Sequence, residues 1–368
     1  MKILHLISGG ETGGSRKHVV TLLSKFPKEQ VCLAVFQEGA LSQEAREAGI
    51  KVEIFEQKSR YDLTVLRRLA NFINKEGFDI LHTHGPRANF LTTFLVGKIK
   101  ALWVTTIHSD PKLDFMKGGL KGRIFTKLNL WSYEKIDYFF AVSERFKNNL
   151  MDIGINEEKI QTIYNGIDFT EPVPVENALK TEFVISEDDF VMAFVARLHP
   201  VKGHDLVLKA LKNLGNPKVK VLLVGSGPSY DEVEHLIKEF KLGAQVKMLG
   251  FRKDVSQILS ISDVSLLASE SESFPLVLLE SANQEVPVIT TDVGGVKELV
   301  KPEHGWIVPV GDQGGYERAM NQAIDEWQKG KLVDKGKALR KHAEENFSLK
   351  NLVSLTTETY KKLLKVKK

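Results

Sequence analysis

Two cations and two carboxylates stand out by their spacing. Arg197 and Lys202 lie in the run Ala196-Arg197-Leu198-His199-Pro200-Val201-Lys202-Gly203, directly after an apolar stretch that reads as a strand. A guanidinium fork and an ammonium point charge at a strand end can converge on a diphosphate. Two solvated surface cations would leave the same trace. Glu272 and Glu280 bracket Ser273-Phe274-Pro275-Leu276-Val277-Leu278-Leu279. Proline is tolerated at a first helical position, so a helix is expected to start near Pro275. Glu272 then stays in the preceding loop, and Glu280 falls inside an otherwise apolar helix. A carboxylate placed there needs hydrogen-bond donors. Ligand hydroxyls would serve, and so would a neighbouring cation. The amides near Ser273 to Leu276 could meanwhile hold phosphate oxygens.

The glycine cluster Gly9-Gly10-Glu11-Thr12-Gly13-Gly14 follows the first apolar run and precedes a helix expected from about Ser15. Backbone N–H groups there can approach an anion. The spacing is not G-x-G-x-x-G and no Walker lysine follows, so a tight turn fits as well. His108 lies just past the apolar run Leu102–Thr106. His82 and His84 alternate after another run, but the spacing supplies no third ligand, so polar packing is expected and no metal site. No D-x-D triplet occurs; Glu187-Asp188-Asp189 reads as a surface turn.

These residues need elements to hold them. Strands are expected at Lys2–Ile7, Val31–Phe36, Lys51–Phe55, Asp79–His82, Leu102–Thr106, Tyr138–Val142 and Ile160–Ile163. A second series is expected at Phe190–Ala196, Lys220–Val224, Val246–Leu249, Val264–Ala268, Val288–Thr290 and Trp306–Val308. Stretches of 3.6-residue period such as Leu63–Lys75, Gly203–Leu214 and Tyr230–Phe240 lie between them. The strand runs are continuously apolar, the pattern of parallel sheets covered on both faces. The expected fold is α/β: two doubly wound parallel-sheet domains, with the chemical residues in loops after strands. The break is expected near 167–180, where Pro172 and Pro174 bracket a polar, non-periodic stretch, giving domains at 1–170 and 171–348 with a helical stretch after 349.

Composition fits that reading. A chain of 368 residues with 42% hydrophobic and 27% charged residues is long enough for two cores and excludes disorder and fibrous repeats. Cys32 is the only cysteine, which excludes a disulfide framework and a cysteine zinc cluster. It sits in an apolar run, so packing is expected and a reducing compartment is implied. Neither a signal-peptide core nor a run of ~18 apolar residues is visible, so a cytoplasmic protein is expected. The net charge is +4, and residues 1–170 carry the excess, with 24 Lys+Arg to 19 Asp+Glu. That suits an anionic surface and is too small to argue for nucleic acid. In Lys112–Trp131, Lys117, Lys121, Arg123 and Lys127 are interleaved with Phe115, Met116, Leu120, Ile124 and Phe125. Such a helix suits a peripheral position at the inner face of a plasma membrane, or its apolar side packs in the core.

Taken together, the motifs resemble the family 4 glycosyltransferases, a retaining class with the GT-B fold of two facing Rossmann-like domains and an inter-domain cleft. The resemblance runs the length of the chain. It is carried by Gly13-Gly14, Thr106-Ile107-His108, Tyr164-Asn165-Gly166-Ile167-Asp168, Arg197 with Lys202-Gly203, and Val224-Gly225-Ser226-Gly227. Gly250-Phe251-Arg252, the E-x7-E pair Glu272/Glu280, Pro287-Val288-Ile289 and Val293-Gly294-Gly295 complete it. Where many members have Gly-Phe after the first glutamate, this chain has Ser273-Phe274.

The resemblance implies roles. Arg197 and Lys202 would neutralise a donor diphosphate, with Gly13 or Gly14 amides closing on it. Glu280 would hold the nucleotide ribose, and backbone around Gly250, Phe251 and Arg252 would read the base, usually uracil. Glu272 would contact the transferred sugar, with His108 approaching it from the opposite domain. Phe274 and Leu276 would complete the nucleotide-sugar site, and the final helix would cross back onto the first domain. Because Arg and Lys take the place of a divalent ion, no metal or other cofactor is expected. The implied reaction moves a hexose or N-acetylhexosamine from a UDP-sugar to a polysaccharide, lipid-linked or glycolipid acceptor. Other readings share the fold: a sugar-nucleotide epimerase, which needs no acceptor, or a phosphorylase, and a non-catalytic nucleotide-sugar-binding partner of a synthase complex. The latter would be expected to lose the charged contacts that Arg197, Lys202, Glu272 and Glu280 retain.

Overall fold

A computed structural model describes residues 1–11, 14–57, 62–109 and 119–367, with the side chains of 119–121 and 123 outside that description. Seven strands form one parallel sheet in the order β3-β2-β1-β4-β5-β6-β7. They are β1 (Ile3–Ile7), β2 (Val31–Val35), β3 (Lys51–Ile54), β4 (Ile80–His84), β5 (Leu102–Ile107), β6 (Tyr138–Ala141) and β7 (Ile160–Thr162). Six more form a second parallel sheet in the order β10-β9-β8-β11-β12-β13. These are β8 (Phe190–Val195), β9 (Val219–Val224), β10 (Val246–Gly250), β11 (Val264–Leu267), β12 (Val288–Thr291) and β13 (Gly305–Val308). Every residue of β1 and β2 is buried, as expected for strands with helices on both faces. Each sheet changes winding direction once, between β1 and β4 and between β8 and β11. In open α/β sheets, ligands bind outside the carboxyl ends of the strands at such a switch point.

The chain divides into two compact units, Met1–Gly166 with Leu349–Lys368, and Ile167–Ser348. The junction is therefore at Gly166/Ile167 and not at 170/171. Ile167 forms a β-bridge with Ser348, and the Thr170 N–H donates to Asn283 Oδ1 at 2.9 Å. Those contacts tie residues 167–170 to the second unit.

The helix Leu349–Val366 belongs to the first unit. Leu349, Leu352 and Tyr360 are buried in one cluster with Ile3, Leu33, Ile80 and Phe140. Burial contributes roughly 1.5–3 kcal/mol per side chain, which is what keeps a chain terminus docked. The Tyr360 ring also stacks on Phe140 at 5.6 Å. Cys32 is buried, and burial pushes its thiol up to about 12, so it packs as an apolar group. Among the described residues, no helix is long and apolar enough to cross a membrane.

Candidate active site

The second unit gathers charge at its switch point. β8 ends at Val195, and the chain turns through Arg197 into a short 3-10 turn, Pro200–Lys202, closed by Gly203 in the left-handed region at φ +69°. A Cβ on Gly203 would run into the Ala268 carbonyl, so only glycine lets this turn lie against the end of β11. The Glu270 N–H donates to the Val201 carbonyl at 2.8 Å and locks the two loops together. As a result the Lys202 ammonium is ion-paired with Glu272 Oε1, which also accepts from the Ser269 hydroxyl at 2.7 Å. Sequence separations of 70 and three residues thus meet at one carboxylate. Ser269, fully buried, is the member that the sequence reading missed; a lone serine after a strand carries no signal. Arg197 is exposed and makes no ion pair among the described residues.

Backbone packing fixes the carboxylate loop. Gly294, at φ +53°, is so close to it that a Cβ would run into the Ser273 carbonyl and lie 2.7 Å from that of Glu272. The Gly295 N–H donates to the Ser273 carbonyl at 3.2 Å. Phe274 turns its ring inward against Phe347, centroids 5.2 Å apart, so what it can offer a ligand is backbone. The helix starts at Leu276, with Pro275 as its extended N-cap, and runs to Asn283. Leu276 and Glu280 are half-buried on it.

Past β10, the Gly250 carbonyl accepts from the Gly225 N–H at 2.7 Å, and Phe251 is 73% exposed. The Arg252 guanidinium is clamped by Asp254 at 2.6 and 2.8 Å and reaches Glu182 at 3.3 Å. Its charge is thus committed within the protein.

In the first unit, the loop after β1 holds an anion of its own. The Glu11 carboxylate accepts from the Ser8 and Gly9 N–H groups at 3.1 and 2.7 Å. Gly14 opens the helix Gly14–Ser24; it is exposed, and a Cβ there would meet only open space. Thr12 and Gly13 lie outside the described residues. Five histidines then converge. Alternation along β4 puts His82 and His84 on one face, and the β1–β4 register sets His5 beside His82. Ring centroids are 4.8 Å apart for His5/His82, 4.5 Å for His82/His84 and 5.3 Å for His84/His108. His18 stands edge-on to His108 at 5.0 Å. Burial lowers all five pKa values, to about 3 for His5, about 4 for His18 and well below the usual range for His82, His84 and His108.

His5 is the third partner that the sequence spacing did not reveal. Ring nitrogens of His5, His82 and His84 lie within 4.8 Å of one another. Most of those nitrogens already have partners. His82 Nδ1 meets the Tyr360 hydroxyl, His82 Nε2 meets Thr106 Oγ1 at 2.7 Å, and His5 Nδ1 meets His84 Nε2 at 2.9 Å. Only His5 Nε2 of the three rings is without a hydrogen-bond partner.

A cavity of about 630 Å³ opens at the carboxyl ends of the first unit's strands, lined by Ser8, Glu11, Gln37, Arg87, Phe90 and Phe125 among others. Its size is that of a small-molecule site. Part of its wall is the helix Gly119–Tyr133, which carries buried polar and exposed apolar side chains. Asn129 and Ser132 are buried, while Ile124 and Phe125 are 53% and 46% exposed. Phe115, Met116 and Lys117 lie outside the described residues, as do the side chains of Leu120, Lys121 and Arg123.

Comparison with known proteins bears on this arrangement. The family model described as glycosyl transferases group 1 matches residues 175–345, and the one described as glycosyltransferase family 4 matches residues 12–171. The N-acetyl-alpha-D-glucosaminyl L-malate synthase of Bacillus anthracis is 31% identical over 322 residues, 83% of this chain and 80% of its own. A UDP-Gal:alpha-D-GlcNAc-diphosphoundecaprenol alpha-1,3-galactosyltransferase of Escherichia coli is 25% identical over 281 residues, 72% of this chain and 71% of its own. Among solved structures, Anabaena HepE in complex with UDP matches with a TM-score of 0.87 at 21% identity, over 98% of this chain and 100% of that one. The sucrose-phosphate synthase of Thermosynechococcus elongatus matches at 0.79 and 17%, over 100% of both chains. The two structural likenesses give the fold, GT-B.

Proposed function

The chain belongs to the family 4 glycosyltransferases and is a transferase of GT-B fold, and from that membership we propose that it moves a hexose or N-acetylhexosamine from a UDP-sugar, with retention of configuration. The observation that carries the proposal is the convergence of Lys202, Glu272 and Ser269 at the β8/β11 switch point, with Arg197 exposed at the same edge. Breaking the anomeric C–O bond places negative charge on the departing diphosphate and positive charge on the sugar. Fixed cations at the diphosphate stabilise that separation selectively. In this proposal Arg197 and Lys202 supply the charge that a divalent ion would otherwise bring. Glu272 then takes a sugar hydroxyl and Glu280 the ribose, while His108 contacts the transferred sugar. Backbone around Gly250 and Phe251 reads the base. Uridine as the base is supported by HepE, whose structures hold UDP and UDP-glucose. An N-acetylhexosamine is supported by the relative from Bacillus anthracis.

For the acceptor, the proposal favours a polysaccharide, lipid-linked or glycolipid hydroxyl. Ile124, 53% exposed on the helix Gly119–Tyr133, supports a lipid surface nearby. A second reading, a small hydroxy acid, is favoured by the malate named for the 31% relative and by Arg87 in the wall of the 630 Å³ cavity.

The decisive experiment replaces Arg197 and Lys202 by alanine in a product whose fold is checked by circular dichroism. Each is expected to lose about 2–4 kcal/mol of transition-state stabilisation, roughly 30- to 1000-fold in kcat. Turnover that survives the double replacement would overturn the proposal, and a β-linked product from an α-linked donor would overturn retention. Sedimentation with anionic vesicles separates the acceptors. Binding that weakens with salt supports the lipid surface, while unchanged sedimentation at low salt leaves the small acid.

A further inference from the structure

Three imidazoles in the first unit form an unbranched hydrogen-bonded file. His5 Nδ1 meets His84 Nε2 at 2.9 Å, and His84 Nδ1 meets His108 Nε2 at 3.0 Å. His84 is fully enclosed and spends both ring nitrogens inside the file. A neutral imidazole has one N–H and one lone pair, so the file has only two self-consistent proton orders. Either every bond donates outward, from His5 through His84 to His108, or every bond donates inward.

The inner end chooses between them. His5 is 0% exposed, and its Nε2 is buried with no hydrogen-bond partner. Inward donation would put a proton on that nitrogen and leave an N–H in the core with nothing to accept it. Outward donation leaves a bare lone pair there instead. Orphaned buried N–H groups are rarer in folded proteins than under-satisfied acceptors. His108, at the other end, is half-buried at the carboxyl end of β5, where solvent or a ligand can match either form.

We infer that His5 and His84 are positioning residues that hold His108 as the Nδ1–H tautomer, so that it presents a hydrogen-bond donor. The inference rests on the reading of His108 as a contact to the transferred sugar, and it deepens that reading. A sugar hydroxyl or ring-substituent oxygen facing His108 is met by a fixed N–H; a proton acceptor, or a general base, is not on offer there. Burial keeps all three rings neutral at pH 7, which removes the imidazolium as an alternative.

Histidine-selective 15N labelling of the full chain reads this directly, because two-bond proton–nitrogen couplings distinguish the two neutral tautomers from each other and from the imidazolium. The His108 signals are assigned by their loss in His108→Asn. The expected wild-type spectrum at pH 7 shows His84 and His108 protonated at Nδ1 only; protonation at Nε2, or an imidazolium, overturns the inference. In His5→Phe the inner donor is gone, so His108 is expected to become a mixture of tautomers. Its kcat is then expected to fall roughly tenfold while UDP binding is kept, as when a tautomer-setting partner is removed. A His108 signal identical to wild type in that variant overturns the role of His5. If the variant does not fold, the wild-type spectrum still decides. The two readings fail separately: full turnover in His108→Asn defeats the sugar contact, whereas an Nε2–H spectrum with turnover lost in His108→Asn defeats only the tautomer.

Discussion

Lys202 and Glu272 neutralise one another, yet the proposed reaction asks each for a different job. Their side chains are 21% and 15% exposed, so the pair is neither dry enough to be strongly bound nor wet enough to be idle. In the proposed reaction an arriving diphosphate would compete for the ammonium, and Glu272, held by Ser269, would turn to a sugar hydroxyl. That exchange would make the pair a placeholder that keeps both groups in position. Glu272→Gln is therefore expected to shift stability by no more than about 1 kcal/mol, as for a partly solvated pair. Turnover should fall on the order of 10²-fold, since an interaction that strengthens in the transition state is lost. Thermal melts and kcat on the same preparation separate the two effects; a variant that loses stability and activity together would make Glu272 a structural residue. At this scale the sequence was partly legible. Arg197, Lys202 and Glu272 stand out in the sequence by their charge and spacing. Ser269 and His5 do not, since their partners are set by loop closure and by the β1–β4 register.

Glycines set how the strand-end loops stack. A Cβ on Gly203 would strike the Ala268 carbonyl, one on Gly225 the Ala196 carbonyl and one on Gly227 the Leu198 carbonyl, so the loops after β8, β9 and β11 lie backbone to backbone. Gly294 does the same for the loop that carries Glu272. Gly294→Ala combines a left-handed φ with a collision at two carbonyls, and is expected to destabilise the second unit by about 1–3 kcal/mol. It should also raise KM for the donor, because the loop moves by moving Glu272. A melt and a donor titration check this, and an unchanged KM would show that the loop is held elsewhere. The strands themselves were legible to within a residue or two because burial on both faces writes an uninterrupted apolar run, as in Val31–Val35 and Phe190–Val195. Two features were not. The burial of Asn129 and Ser132 on the helix Gly119–Tyr133 depends on which side packs inward, and its period looks the same either way. The junction at Gly166/Ile167 is fixed by the Ile167–Ser348 bridge, whose partners are far apart in sequence.

The two units differ most in how they carry buried titratable groups, and this gives the chain an uneven response to acid. The first unit keeps His5, His18, His82, His84 and His108 neutral by burial, and neighbouring imidazoles add to the effect at all but His18. In the unfolded chain each takes up a proton near pH 6.5. The folded unit thus holds its full stability above that value and loses it as the pH falls toward the depressed folded values, about 3 for His5 and about 4 for His18. Each group contributes about 1.4 kcal/mol of loss per pH unit, so five of them remove roughly 7 kcal/mol by pH 5.5. That is comparable to the whole stability of an ordinary domain, about 5–15 kcal/mol. The second unit has His204, lowered to about 4, and His304, lowered less. It also has Asp263, which burial raises to about 6. A raised carboxyl acts in the opposite sense: its contribution is present at low pH and is lost as the pH rises through 6. The first unit is therefore expected to open first, between about pH 6.5 and 4, taking the docked helix Leu349–Val366 with it, while the second stays closed. Amide hydrogen exchange read by peptide at pH 7, 6 and 5 follows both units at once. Protection lost from β1, β4 and Leu349–Val366 ahead of β8 and β11 is the expected order. Protection in β1 and β4 that persists to pH 4 would mean that the histidines are charged or hydrated in the folded chain, contrary to their burial.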